Sequence, residues 1–239
     1  MNLSFVFANF IQVLRNQEIY KYLIPGAVVT LFYGTFMWSM GWLSADPVVN
    51  TDDLAWSAKL VYWFISGVRW FSTMLFEFVV ITLFSPIMAM LSERVDSILT
   101  GGKYTFSVQR FLKELLRTIG ILLSAFLFSS AVMLLWSMVS WIGDLKAMTP
   151  YIVFVIKAFF IGFNYIDYSL ERNLVSIPHS WRYALSRPIT MLLVGSIFSL
   201  IFALPVLGVM FAPFIATIIA TLLWLGEQQK KAVIRKNKA

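Results

Sequence analysis

Residues 188–226 read PITMLLVGSIFSLIFALPVLGVMFAPFIATIIATLLWLG, 39 positions without one charged side chain. The hydrocarbon core of a bilayer is about 30 Å thick and takes roughly 20 helical residues at about 1.5 Å each. This stretch is therefore nearly twice too long for one span. Pro205, Gly208 and Pro213 lie near its middle, where proline removes a backbone donor and clashes with the preceding turn. The pattern predicts a helical hairpin that folds back at Pro205–Pro213. Each arm has about 17 residues, the lower limit for a span. The hairpin therefore either crosses or enters part-way, and irregular backbone at membrane depth is tolerated only inside protein or beside a water cavity.

The rest of the chain extends the same reading. Of 239 residues, 59% are hydrophobic and 13% charged, with a mean hydropathy of +0.79. A soluble domain is about half apolar and a quarter charged, so this chain has too little polar surface to face water. The apolar runs are continuous rather than alternating, which specifies helices and not a barrel. The expected fold is a single all-α membrane domain over 1–239, with two long spans, two hairpins and interfacial helices. Span 1 is read at 22–43. Span 2 is read at 60–91, interrupted by Arg69 and Glu77 and extended on the cytoplasmic side to about residue 100. The first hairpin is read at 118–166, interrupted by Lys157, and the second at 188–226, followed by a basic tail over 227–239. Residues 1–14 lack the basic region that opens a secretory signal, so the N-terminus is expected to be retained.

Charge bias orients these segments. Residues 1–21, 92–117, 167–187 and the tail hold 15 of the 19 Lys and Arg, and span parity assigns all four to one side. The loop 44–59 carries Asp46, Asp52 and Asp53 against Lys59. Lys and Arg favour the cytoplasmic side, so both termini are expected there. Two segments have an amphipathic pattern. In 3–16, Leu3, Phe7, Phe10, Ile11 and Leu14 fall at helical spacing, and in 106–116 Phe111, Leu112, Leu115 and Leu116 face away from Arg110, Lys113 and Glu114. Such helices lie in the headgroup plane or pack on neighbouring helices. Trp38, Trp42, Trp56, Trp63, Trp136, Trp141 and Trp224 fall near expected span ends, as an aromatic belt does.

Enzyme chemistry finds little footing. There is no cysteine and one histidine, His179, in a basic loop without a partner pattern. Gly101-Gly102-Lys103 lacks the flanking residues of a phosphate loop, Gly195-Ser196 is no nucleophile elbow, and no metal or cofactor site is expected. The informative residues are charges inside apolar runs, which are expensive and mark function by default. Arg69 lies about 14 Å and Lys157 about 10 Å in from the outer side, so the two cations share a depth if the span ends are right. One reading is a buried anion-attracting locus, with Glu77 as a possible ion-pair partner across helices. The other is snorkelling, in which long stems carry charged heads to the interface.

Three motifs resemble the CysZ-like family of bacterial sulfate permeases, which includes the etoposide-induced-protein membrane domain. The first is the run Phe84-Ser85-Pro86-Ile87-Met88-Ala89-Met90-Leu91-Ser92-Glu93 leading to Leu99-Thr100-Gly101. The second is Asp167-Tyr168 followed by Pro178, Arg182, Ala184-Leu185 and Arg187. The third is Leu204-Pro205-Val206-Leu207 with Pro213 and then Ala220-Thr221. The resemblance implies two long helices plus two partly penetrating hairpins, a homo-oligomer in the bacterial inner membrane, and uptake of sulfate. Where that family's sulfate permeases carry Gly-x-Arg-Arg, this chain reads Glu18-Ile19-Tyr20-Lys21. Lys21 still attracts charge but lacks the bidentate fork of arginine. Gly208 and Ile219 also depart from the family pattern.

Two functions follow as expectations. One is a permease or channel for a small inorganic anion, sulfate-like by resemblance, in which Arg69, Lys157, Lys21, Arg182 and Arg187 steer charge by field. The other is a non-transporting membrane scaffold whose basic face binds anionic lipid or a partner, each Lys or Arg contributing about 1 kcal/mol at such a surface. Nucleic acid is not an expected partner.

Overall fold

A computed structural model describes residues 3–43, 55–58, 60, 61, 64, 85–102, 108–143, 145–204 and 207–236. Every regular element among them is helical. Besides helical residues 56–58, 60, 61 and 64, they are in chain order α1 (Leu3–Leu14), a 3₁₀ turn (Gln17–Tyr22), α2 (Leu23–Leu43), α3 (85–100), α4 (Val108–Ile142), a 3₁₀ turn (Lys146–Met148), α5 (Thr149–Arg172), α6 (Ile177–Ser186), α7 (Pro188–Phe202) and α8 (Leu207–Lys236). The segments Leu115–Ser140, Thr149–Arg172 and Leu207–Lys230 are long and apolar enough to cross a bilayer. The chain is an all-α membrane protein. Arg69, Glu77 and Pro205 lie outside the described residues.

The helix α8 is the centre of the bundle. Of its spanning window 67% is buried, against 17% for α4 and 28% for α5, and it packs on α1, α2, α5 and α7. The reason is a stripe of small side chains. Ala212, Ala216 and Ala220 recur every four residues beside Thr217 and Thr221, and all five are fully buried. In lipid, where apolar surface alone does not drive helices together, small residues let backbones approach closely. The same device joins α5 to α7. A Cβ on Gly162 would collide with the Met191 carbonyl, and one on Gly195 with the Ala158 carbonyl.

The apolar stretch 188–226 does double back. Arg187, just before α7, pairs with Glu227 near the far end of α8, so the two arms run antiparallel. The break falls between Phe202, where α7 ends, and Leu207, where α8 begins, and Gly208 sits against the Phe202 and Ile201 carbonyls with no room for a side chain. Pro213 is not part of this turn. It lies inside α8, buried among the small residues, and neighbouring helices hold the segment helical despite the missing donor. A proline at the start of α7 bends the chain as well. Pro188 forces Arg187 out of helical geometry, to φ −138° and ψ 53°, and α6 meets α7 at 91°.

Four other sequence expectations are revised. Residues 108–116 are not a separate interfacial helix, because α4 runs unbroken from Val108 to Ile142. The basic tail is helical to Lys236, as the last turns of α8; Glu227-Gln228-Gln229-Lys230 are good helix formers with nothing to stop them. His179 is not in a loop but in the first turn of α6, exposed, its ring 2.7 Å from the Ser176 hydroxyl. Trp224 is buried against Tyr183, ring centroids 5.4 Å apart, and takes no part in an aromatic belt. The helix α1 is apolar on two faces. Val6 and Val13 are buried, whereas Leu3, Phe7 and Ile11 are exposed.

A layer of buried charge ties five helices together at one end of the bundle. Arg117 of α4 donates to Asp167 Oδ1 at 2.9 Å, to the Ser180 hydroxyl at 3.0 Å and to the Val175 carbonyl at 2.6 Å. Its Nε faces Glu171 at 3.5 Å, an ion pair without hydrogen-bond geometry. The Val175 carbonyl is presented by the chain reversal that ends α5. Val175 N–H bonds the Leu170 carbonyl and Leu174 N–H the Glu171 carbonyl, with Leu174 at φ 56°. That is the Schellman pattern, here with leucine in the position glycine usually takes. Arg172 of α5 donates to the Ser92 carbonyl at 2.7 Å and pairs with Asp96 of α3 at 3.7 Å. Thr221 of α8 reaches the Ser92 hydroxyl at 2.8 Å.

Two predictions follow from this packing. Gly195→Val is expected to cost about 3 kcal/mol by overpacking a backbone-to-backbone contact, measured as loss of monodisperse protein on heating in detergent. Arg117→Gln is expected to cost about 3–5 kcal/mol by stranding buried carboxylates and to be worse than Asp167→Asn, which leaves Arg117 its other partners. Equal melting of the two variants in the same assay would contradict the assignment.

Candidate functional site

The chain between α1 and α2 is held by local bonds. Asn16 caps the 3₁₀ turn, its Oδ1 accepting from the Glu18 N–H at 3.0 Å, as a short polar side chain does at a helix start. The Tyr20 hydroxyl donates back to the Leu14 carbonyl at 2.7 Å. Between them these bonds set the direction of Glu18 and Lys21. Facing this turn, α3 presents Met90, Glu93, Arg94 and Ser97. Their spacing of three, four and seven places them on one helical face.

Together the two elements line a half-open cavity of about 230 Å³ bordered by Glu18, Lys21, Tyr22, Glu93, Arg94 and Ser97, among others. Two cations and two carboxylates share it. Glu18 and Arg94 form an ion pair with side chains 55% and 32% exposed. The Lys21 ammonium lies 5.5 Å from the Tyr22 ring centroid. The Nε of Arg94 is buried and has no hydrogen-bond acceptor among the described residues. A planar guanidinium with a spare donor beside an ammonium can hold a small oxyanion through charge-assisted hydrogen bonds.

The other sequence-derived residues fall in different places. Of these, Lys21 and Glu93 share the cavity, while Pro86 is buried in α3 before it. Asp167 belongs to the buried charge layer, and Tyr168 packs edge-on against Tyr165 with centroids 5.8 Å apart. Arg187 pairs with Glu227 and covers the Tyr183 ring, 4.9 Å from its centroid. Arg182 is exposed on α6. Lys157 is exposed, with Ile156 and Ala158 on either side buried, so its side chain leaves the bundle rather than entering it. The structure thus joins Lys21 to Glu93 but does not join Lys157 to either. Arg94 and Glu18 are the partners that sequence reasoning did not single out, although the face Met90, Glu93, Arg94 and Ser97 was readable as helical spacing. Among the described residues, no group of three or more His, Asp or Glu is placed to hold a metal ion.

No curated protein matches the chain. A family model described as Sulfate transporter CysZ/Etoposide-induced protein 2.4 matches residues 6–213, a range that contains the cavity, the charged residues of the layer and α7. The chain belongs to that sulfate transporter CysZ/etoposide-induced protein family.

Proposed function

We propose that this chain is a membrane permease or channel for a small inorganic anion of the sulfate type, and that the cavity between the 3₁₀ turn and α3 is where the anion is taken up or released. The single observation that carries the reading is the juxtaposition of Lys21 with Arg94, whose Nε is unsatisfied, in a cavity of about 230 Å³. Family membership supplies the class of cargo. The two arginines of the charge layer are poor candidates for the same task. Arg117 and Arg172 are already paired with carboxylates, and an anion there would have to displace buried charge.

The orientation and setting complete the proposal. The cavity lies on the side that carries most of the Lys and Arg, which positive-inside bias makes cytoplasmic, with both termini there in a bacterial inner membrane. Arg182, exposed on α6, adds positive field that steers anions by long-range attraction rather than contact. Membrane lipid surrounds the outward apolar faces of α4, where Leu116, Leu127, Leu134 and Leu135 are exposed, and a homo-oligomer would cover part of them.

Labelled sulfate uptake into proteoliposomes tests this reading, with phosphate and chloride as competitors. Lys21→Gln and Arg94→Gln are each expected to lower uptake about tenfold, the value of one charge-assisted hydrogen bond. Arg182→Gln is expected to lower it about twofold at low ionic strength and not at all at high ionic strength, where screening removes the field. No uptake of any anion above that of empty liposomes would overturn the permease reading in favour of a lipid- or partner-binding scaffold.

A further inference from the structure

Within the cavity the charges balance only because a carboxylate of the chain itself occupies the arginine. Glu18 stands on the 3₁₀ turn, three residues before Lys21, and its carboxylate meets the Arg94 guanidinium. Glu93 comes from the same face of α3 as Arg94. The Glu18 side chain is more than half exposed, so it can leave Arg94 for water without the penalty of a buried charge. An exposed pair of this kind shifts the population by about 1.4-fold to about fivefold, not more.

We infer that Glu18 is a tethered competitor: its carboxylate occupies the oxyanion position on Arg94, and a tetrahedral oxyanion enters by displacing it. The inference rests on the proposed anion site for its ligand, and adds a residue that sets how tightly that ligand binds. The physical logic is that of a binding-competent state populated only in part. Apparent affinity is reduced by the fraction of molecules in which Arg94 is free, and a carboxylate on the same chain has a high effective concentration. Once displaced, Glu18 remains nearby and repels the bound dianion, so it also speeds release. A site that must pass its cargo on gains from this, because binding that is too tight stops conduction.

Removing the carboxylate leaves the local fold in place. The bond from Glu18 to Asn16 uses the backbone N–H of Glu18, so Glu18→Gln preserves the cap and the length of the side chain. The test is sulfate binding to the full chain by titration calorimetry. It is run in neutral detergent, then with phosphatidylglycerol added to the micelles, for wild type, Glu18→Gln, Arg94→Gln and the double variant. Glu18→Gln is expected to bind sulfate up to about fivefold tighter. Arg94→Gln is expected to bind weakly, and the double variant to match Arg94→Gln, since without Arg94 there is nothing for Glu18 to block. Wild-type binding with no gain in Glu18→Gln overturns the inference and leaves the anion site standing. A gain that persists in the double variant also overturns it, because general electrostatics would then be the cause. No sulfate binding by wild type or Glu18→Gln overturns both readings. Loss of the Glu18→Gln gain when phosphatidylglycerol is added supports displacement but assigns the oxyanion to a lipid headgroup.

Discussion

A largely buried arginine must be compensated, and Arg117 is the residue on which the arrangement of this bundle turns. Its side chain is 16% exposed, and its guanidinium meets two carboxylates, a hydroxyl and a backbone carbonyl. Those partners come from α5, from the reversal after α5, and from α6. None of these elements can shift alone without leaving a charge or a polar group unpaired, at a cost of about 3–5 kcal/mol in a low-dielectric setting. The layer extends through Arg172 to α3 and through Ser92 to Thr221 of α8. One polar plane thus registers five helices against each other, while the contacts at Gly162 and Gly195 set how close α5 and α7 approach.

That division of labour bears on transport. Positive charge inside a membrane protein does not by itself attract anions, since a cation already matched by acids presents little net field. The charge layer is matched in this way. In the cavity beside it, the carboxylate that meets Arg94 is that of Glu18, a half-exposed side chain. The same α3 that supplies Ser92 and Asp96 to the rigid layer supplies Glu93 and Arg94 to the cavity, so the labile site is built directly on the most constrained part of the fold. A rigid platform with one displaceable counter-charge suits a site that must bind and release.

Much of the architecture was legible in the sequence, for physical reasons. Apolar runs longer than one bilayer crossing have to fold back, and the pairing of Arg187 with Glu227 records that the 188–226 stretch does so. The position of the turn was less legible. Pro205 and Pro213 look alike on paper, yet packing among Ala212, Ala216 and Thr217 keeps Pro213 helical. The charges were the hardest part. Lys157, inside an apolar run, points out of the bundle, whereas Arg117, at the edge of one, turns inward onto Asp167. Depth along a helix does not report which face a residue occupies. The partners of Arg117 lie 50 to 63 residues away in sequence, and Glu18, the partner of Arg94, lies farther still, so no local pattern paired them.

The central claim is that a small oxyanion sits between Lys21 and Arg94. The most direct measurement is a structure of the protein with selenate, a sulfate analogue, located by the anomalous scattering of its selenium. The account predicts one selenium peak within hydrogen-bonding reach of the Arg94 guanidinium and the Lys21 ammonium, with the Glu18 carboxylate moved off Arg94. A selenium peak elsewhere in the bundle, with the Glu18–Arg94 pair intact, would contradict it.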